Sequence, residues 1–535
     1  MTDDVSPRTP SGWVRQLWNG VLFPAAADPH TAVRPLSLLL VLILPALLLY
    51  PCRSFHLLEP DEGRYAQIPK EMLESGSWVV PTLMGQPYLD KPPLMYWLTA
   101  LSYRAFGVSE ESARLVPAVC VHLTILMVYL LGRRSVGERA AFWAAALLMV
   151  APGFLGVARF LLLDGLLTFC VTTSVLCGFE AVRTGTLKRG WWVAAAVFSG
   201  LGFLTKGPIS EILLFPPLLA VAWLTRSTAR IGWRDVLLFA GIVVGVNLPW
   251  YVAMGAKRPE FLGYFFWEHN VMRFVKPFDH LQPVWYYAPV LLVGFLPGVI
   301  LGVPYVRSLL RGEPTTRTAA GGFWLLSGLW CVAFFSVSGS KLPTYILPAF
   351  PPLCLALGEF VARSRWDKLV ATRGVIAGFA GLIALIHYVG LPWYAKERSP
   401  MGRPELVLKY LNDPHTHVVC YPRNIDSVAF YSGREDLEVI RTKDANRMIR
   451  ESHLRPRTVI LFTHDHSLSG FKEALRGAVN CTVRVTHEED MRKKDGPKWV
   501  RELLGGGPWG LCDIAVVEPP TTSEPGRIRL VDQRE

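Results

Sequence analysis

The chain has 535 residues, of which 51% are hydrophobic and 18% charged, with a net charge of +12. A mean hydropathy of +0.30, with apolar runs recurring from residue 36 to residue 392, excludes an ordinary soluble multidomain protein and points to a polytopic membrane protein. The basic excess sits largely in short loops between those runs, where membrane topology accounts for it and nucleic acid is not needed as a partner.

In chain order, residues 1–35 read as a cytoplasmic segment without a cleaved signal peptide. Within it, Trp13, Leu17, Trp18, Val21 and Leu22 fit one face of an interfacial helix. Residues 36–52 are the first span, and residues 53–111 follow as an extracytoplasmic loop. That loop holds Glu59-Pro60-Asp61-Glu62-Gly63-Arg64-Tyr65 and Tyr88-Leu89-Asp90-Lys91-Pro92-Pro93. Charges this dense beside a membrane are costly and collect where there is function. Residues 66–75 alternate at helical spacing, and Gly76 ends them. Residues 92–106 open with two prolines, contain Arg104 and fall short of the roughly 20 residues a crossing needs, so they are predicted to lie on the outer surface.

Basic clusters at 133–139, 183–189, 226–234, 307–317 and 363–373 then all fall on the inner side. The spans between them lie near 112–131, 138–156, 161–181, 191–205, 209–224, 235–254, 284–306, 321–338, 343–362 and 372–392, for about 11 in all. The transmembrane domain is thus 36–392. Residues 393–518 read as a small soluble α/β domain. Its strands are expected at 417–421, 437–440, 457–462, 481–485 and 512–517, and its helices near 403–412, 443–453 and 468–476. Residues 519–535 read as a flexible tail. Cys52, Cys120, Cys170, Cys177, Cys331 and Cys354 are expected in the core, and a disulfide among Cys420, Cys481 and Cys512 stays open.

Asp61 and Glu62 begin a predicted helix, where the macrodipole alone favours acids. The functional reading makes Asp61 a general base, with the adjacent Glu62 pointing elsewhere and supporting it. Arg64, Tyr65 and Tyr88 are read as substrate contacts of the same loop. Lys91 either snorkels or binds a phosphate as a point charge. Asp164 lies in the apolar run RFLLLDGLLTF and needs a partner, Arg159 or Lys206. It is either a site acid or half of a structural ion pair. The stretch 261–274 sets Glu268, His269 and Arg273 among six aromatic residues. His269 with a carboxylate such as Asp90 is a weak metal pattern. Lys341 and Tyr345 add a cation and a phenol on the same side. Arg64, Lys91, Arg273 and Lys341 together call for an anion, and a lipid phosphate at the headgroup level fits.

EPDEGRYAQIPKEMLESGSWVVPTLMGQPYLDKPPLMYWLTALSYRAFG, followed by Ala113-Arg114-Leu115, resembles the first outer loop of bacterial aminoarabinose transferases. These belong to the protein-mannosyltransferase-like integral-membrane glycosyltransferases of GT-C type. LLLDGLLTF, LTKGP, FFWEHNVMRF, WYYAPVL and SGSKLPTYILPAFPPL extend the resemblance over residues 36–362, and YPRNIDSVAFYSGRE resembles the soluble domain of many relatives. The resemblance implies Asp61 as catalytic carboxylate and Asp164 as a second site acid. It also implies Lys91, Arg273 and Tyr345 near the donor phosphate, and Asp90 with His269 as a divalent-metal pair. The family commonly has Glu at the Asp90 position and about two more spans before the soluble domain.

The expectation is a mainly α-helical, GT-C-like protein of the bacterial-type inner membrane with an extracytoplasmic α/β domain. It moves a sugar from a polyprenyl-phosphate carrier to an extracytoplasmic acceptor: a lipid A-like glycolipid, another glycan or a protein. The alternative is a transporter or flippase of lipid-linked sugars, for which internal repeats are expected and none is found.

Overall fold

The computed structural model describes residues 31–462 except 225–227, 277–279, 314–315, 403 and parts of 442–454, and beyond them residues 482–486, 513–518 and 529–532. The interfacial helix expected around Trp13 to Leu22, the helix expected at 468–476, Cys481 and Cys512 lie outside the described residues.

A helix stands at every place where the apolar runs predict a span, from Pro35–Leu49 to Val370–Leu385. Six of the described helices are long and apolar enough to cross a membrane. Val284–Gly294 and Gly298–Leu310 form a pair bent by 110° that makes a seventh if the two halves are one broken span rather than a re-entrant loop. Pro35–Leu49 and Ile209–Trp223 are apolar but shorter, so length and composition alone support fewer crossings than the expected number. The chain is that of a multi-pass membrane protein. Leu94–Phe106, which the sequence reading keeps on the outer surface, is a helix of 13 residues.

The chain divides into two compact units. The first comprises Met1–Pro51, Leu89–Met95 and Val116–Ala384. At its centre is Leu163–Val182, 94% buried over its most apolar window. A helix apolar on every side has to be covered on every side. Phe179 stacks on Phe323 with centroids 4.2 Å apart. Helices Glu138–Met149 and Phe350–Arg363 meet across small residues: a Cβ at Gly358 would stand 2.3 Å from the Ala140 carbonyl oxygen and 3.0 Å from the Ala144 methyl. Close backbone approach of this kind is a standard means of packing helices in lipid.

The basic loops meet at one end of this unit. Glu180 takes Arg134 at 3.1 Å, Arg183 at 2.5 Å and Lys188 at 3.0 Å. Asp367 accepts from Arg139 Nε at 2.7 Å and from the Trp143 indole at 2.8 Å. The clusters at 133–139, 183–189 and 363–373 therefore share one side.

The second unit comprises Cys52–Tyr88, Tyr96–Leu115 and Leu385–Glu535. Its helix Asp61–Ser75 ends at Gly76, as the sequence predicts. A short hairpin follows, β1 (Thr82–Leu83) and β2 (Gln86–Pro87), whose turn is pinned by Glu71 accepting the N–H groups of Met84 at 2.7 Å and Gly85 at 3.2 Å. The C-terminal part is an α/β domain on a mixed sheet. Its strands are β3 (His417–Tyr421), β4 (Glu438–Val439), β5 (Thr458–Phe462), β6 (Thr482–Thr486), β7 (Asp513–Glu518) and β8 (Arg529–Asp532), in the order β4-β3-β5-β7-β6-β8. β5 (Thr-Val-Ile-Leu-Phe) is buried throughout, and its neighbour β3 (His-Val-Val-Cys-Tyr) is buried but for its first residue.

Within the segment expected to be a tail, Arg529–Asp532 pairs in parallel with β6; residues 519–528 and 533–535 lie outside the described residues. Cys420 is buried and unbridged, and Cys52, expected in the core, is exposed. Helix Asp426–Ser432 docks on Asp61–Ser75 at Gly63. A Cβ there would stand 2.5 Å from both Glu59 Oε1 and the Ser427 nitrogen, so no larger residue fits.

Candidate functional site

Each unit carries one polar group of interest. In the first unit the segment 89–95 brings Asp90 and Lys91 to the π-helix Tyr264–Met272. π-Turns are rare and concentrate at functional sites. This one sets Tyr264 and His269 with ring centroids 6.1 Å apart, and the Tyr264 hydroxyl donates to Asp90 Oδ1 at 2.7 Å. Lys91 Nζ lies 2.5 Å from His269 Nε2, and Arg273 Nη1 lies 3.4 Å from the same nitrogen. Two cations thus converge on one imidazole. Burial first, and then Lys91, push His269 down to about 3, so the ring is neutral and accepts on Nε2. Burial lowers Lys91 to about 7, with Lys206 and Arg273 adding to the shift against the pull of Asp90 and Asp164.

A third cation completes the group. Lys206, at the end of helix Arg189–Lys206, donates to Asp164 Oδ1 at 2.7 Å and lies 4.4 Å over the Tyr345 ring. This settles the partner that the sequence left open. Arg159 instead donates to the carbonyls of Leu49 at 3.1 Å and Pro51 at 2.6 Å. Lys91, Lys206 and Arg273 are therefore gathered about the carboxylates of Asp90 and Asp164 with a neutral imidazole between them. Such an arrangement can hold a phosphate. Lys341, expected among these cations, is turned aside. It is 3% exposed and its ammonium donates to the backbone carbonyls of Gln282 and Ser338.

In the second unit the two neighbouring acids part as expected. Glu62 is 2% exposed and clamped by Arg114, Nε to Oε1 at 2.8 Å and Nη2 to Oε2 at 2.8 Å. Arg114 also donates to the carbonyls of Arg53, Phe55 and His56. Both Glu62 oxygens are thus engaged by Arg114, and the carboxylate is held in a buried ion pair. Asp61 is 40% exposed, with Arg64 Nη1 3.6 Å away. Arg64 also lies 5.9 Å over the Tyr88 ring. Tyr65, read as a substrate contact, is buried with its ring 6.2 Å from that of Tyr96.

The donor set does not fit a bound metal ion. Asp90 Oδ1 faces the Tyr264 hydroxyl, and the His269 nitrogen that would bind an ion faces two cations. Among the described residues no group of three or more His, Cys, Asp or Glu stands close enough to hold one.

The sequence reading missed Tyr264, Glu59, Asp426 and Arg114. The Ala113-Arg114-Leu115 motif gave a signal for the last of these. Nothing local marks Tyr264, because its contact depends on the π-turn.

Residues 90–250 match the family described as dolichyl-phosphate-mannose-protein mannosyltransferase. The chain is 34% identical over 383 residues to undecaprenyl phosphate-alpha-4-amino-4-deoxy-L-arabinose arabinosyl transferase 2 of Pseudomonas fluorescens (strain Pf0-1), covering 69% of this chain and 67% of that one. It is 35% identical over 386 residues to the corresponding arabinosyl transferase of Pseudomonas savastanoi pv. phaseolicola, covering 70% of each. The fold is shared with the crystal structure of ArnT from Cupriavidus metallidurans bound to undecaprenyl phosphate. There the TM-score is 0.68 at 21% identity, over 90% of this chain and 97% of that one.

Proposed function

Since the chain belongs to the family of undecaprenyl phosphate-aminoarabinose arabinosyl transferases, we propose that it transfers a sugar from an undecaprenyl-phosphate carrier to an extracytoplasmic acceptor. The observation that carries this reading is the convergence of Lys91 and Arg273 on His269, with Lys206 and Tyr345 close by. The donor phosphate binds to Lys91 and Arg273. The bond from the sugar C1 to the phosphate oxygen breaks, and the charge left on the carrier phosphate is stabilised by those cations. Tyr345 lines the donor. Asp164 fixes Lys206 by their ion pair.

Asp61 is the carboxylate assigned to the acceptor. A hydroxyl acceptor forms the new bond to C1 as its proton passes to Asp61. A phosphate acceptor is already anionic, and Asp61 then orients it. A lipid A-like glycolipid is the acceptor to test first, and the aminoarabinose of the relatives' names is the first sugar. The positive-inside rule puts the N-terminus in the cytoplasm and the loop 53–111 and C-terminal domain outside. Reporters fused after residue 135 or 313 should then read cytoplasmic, and one after residue 400 extracytoplasmic.

The direct test incubates the purified protein with undecaprenyl phosphate-linked aminoarabinose and a lipid A-like glycolipid, with mass spectrometry of the products. A mass gain of one aminopentose on the acceptor and release of undecaprenyl phosphate are expected. Release of neither, from a folded protein, would overturn the reading.

A further inference from the structure

Arg64 stands between two carboxylates in different surroundings. Asp61, three residues earlier on the same helix, is 40% exposed and lies 3.6 Å from Arg64 Nη1. Asp426, from the C-terminal α/β domain, has a side chain 1% exposed and lies 3.5 Å from Arg64 Nε. Asp426 is itself fixed, since Asn424 Nδ2 donates to its Oδ1 at 2.7 Å. The next residue, Ser427, donates its backbone N–H to Glu59 Oε1 at 2.6 Å. This is the place where Gly63 lets the two helices touch.

A buried carboxylate needs its cation. If Arg64 served only to neutralise Asp426, it would turn wholly inward, as Arg114 does toward Glu62. Its planar fork is instead shared, one edge inward and one toward the exposed acid, which a guanidinium can do and an ammonium cannot. We propose that Asp426 is a positioning residue for sugar transfer: by holding the Nε edge of Arg64 it sets where Arg64 holds the Asp61 carboxylate. The inference rests on the reading of Asp61 as the acceptor-side carboxylate, and it makes the C-terminal domain a working part of the transferase.

Charge in the surroundings agrees. The titratable groups facing Asp426 and Arg64 are Glu59, Asp61, Tyr65, Tyr88 and the Cys420 thiol. Two buried acids share one guanidinium. Burial raises both, and Glu59 is pushed up to about 8 by burial and then by Asp426.

The test uses full-length Asp426→Asn, Arg64→Lys and the double variant, each checked for an unchanged melting temperature. Transfer from undecaprenyl phosphate-linked aminoarabinose gives kcat and donor KM. Phenylglyoxal modification of Arg64, read by peptide mass spectrometry, does not depend on transfer. Asp426→Asn should lower kcat by about tenfold or more and leave donor KM within about twofold, a split that removal of a merely structural contact does not produce. Arg64 should be modified several-fold faster in that variant. Arg64→Lys, which keeps the charge, should lose kcat similarly, and the double variant should be no slower than Arg64→Lys. Wild-type kcat in Asp426→Asn, unchanged Arg64 modification, or additive losses in the double variant would each overturn the proposal. Faster Arg64 modification beside a wild type that transfers no sugar would support the Asp426–Arg64 coupling and overturn the transferase reading instead.

Discussion

Arg114 and Lys91 are both cations withdrawn from water, and they are satisfied in opposite ways. Arg114 meets both oxygens of Glu62 and three backbone carbonyls. Its charge is matched by a carboxylate, and its fork is matched by acceptors. Lys91 faces a neutral imidazole that Arg273 approaches as well, with Lys206 adding to the repulsion. Stability alone favours the first arrangement, because in the second Lys91, Lys206 and Arg273 crowd about the carboxylates of Asp90 and Asp164, and buried charge that is incompletely matched is expensive. The second is tolerable when something anionic completes it. Two charged clusters in one chain are therefore told apart by whether the protein alone accounts for their charge.

That comparison is sharpest where it predicts opposite effects on stability and on activity. Arg114→Ala takes the guanidinium from the buried Glu62 carboxylate and should destabilise the protein by about 3–5 kcal/mol, seen as a lower melting temperature and poor recovery from membranes. A variant of normal stability would show that the Arg114 clamp does not hold the fold. Asp61→Asn keeps its volume and its exposed place at the helix start, so abundance should be normal. Sugar transfer should fall by about 10²- to 10⁴-fold for loss of a general base, while Glu62→Gln should act through stability. Transfer at the wild-type rate in purified Asp61→Asn would remove it from the chemistry and bring Asp164 forward.

A smaller effect separates Glu59 from both. Its folded value of about 8 lies above the ordinary 4.5. Between those values the folded state holds a proton that the unfolded chain has lost, so stability declines as pH rises from the lower to the higher and levels off beyond it. Glu59→Gln should flatten that decline in a series of melting temperatures against pH. An unchanged slope would mean that Glu59 ionises freely in the folded protein.

Much of this was legible in the sequence for identifiable reasons. Apolar runs mark helices because lipid leaves the backbone no other partner, so each predicted span has its helix. Asp164 announced itself as an acid in an apolar run. Its partner did not, since Arg159 and Lys206 were equally plausible until the end of helix Arg189–Lys206 was placed. Tyr264 was invisible because its contact with Asp90 passes through a π-turn, which no 3.6-residue periodicity reveals. Asp426 lies in a motif noted only as part of the soluble domain. Its meeting with Arg64 spans most of the chain, and pairings at that distance leave no local pattern. Lys341 was misread for the opposite reason: a lysine in a Gly-Ser turn looks available, and here backbone carbonyls take it up.

On the proposed function, the phosphate of the carrier lipid completes the cluster around Lys91. Equilibrium binding of undecaprenyl phosphate to purified wild type and Lys91→Ala, with melting temperatures of the lipid-free proteins alongside, tests it most directly. The account predicts weaker binding in Lys91→Ala by about 1.5–3 kcal/mol, the scale of a charge-assisted hydrogen bond, with lipid-free stability unchanged or higher because one of the crowded cations is gone. Equal affinity in the two proteins, or a lipid-free protein that loses stability as Arg114→Ala does, would contradict it.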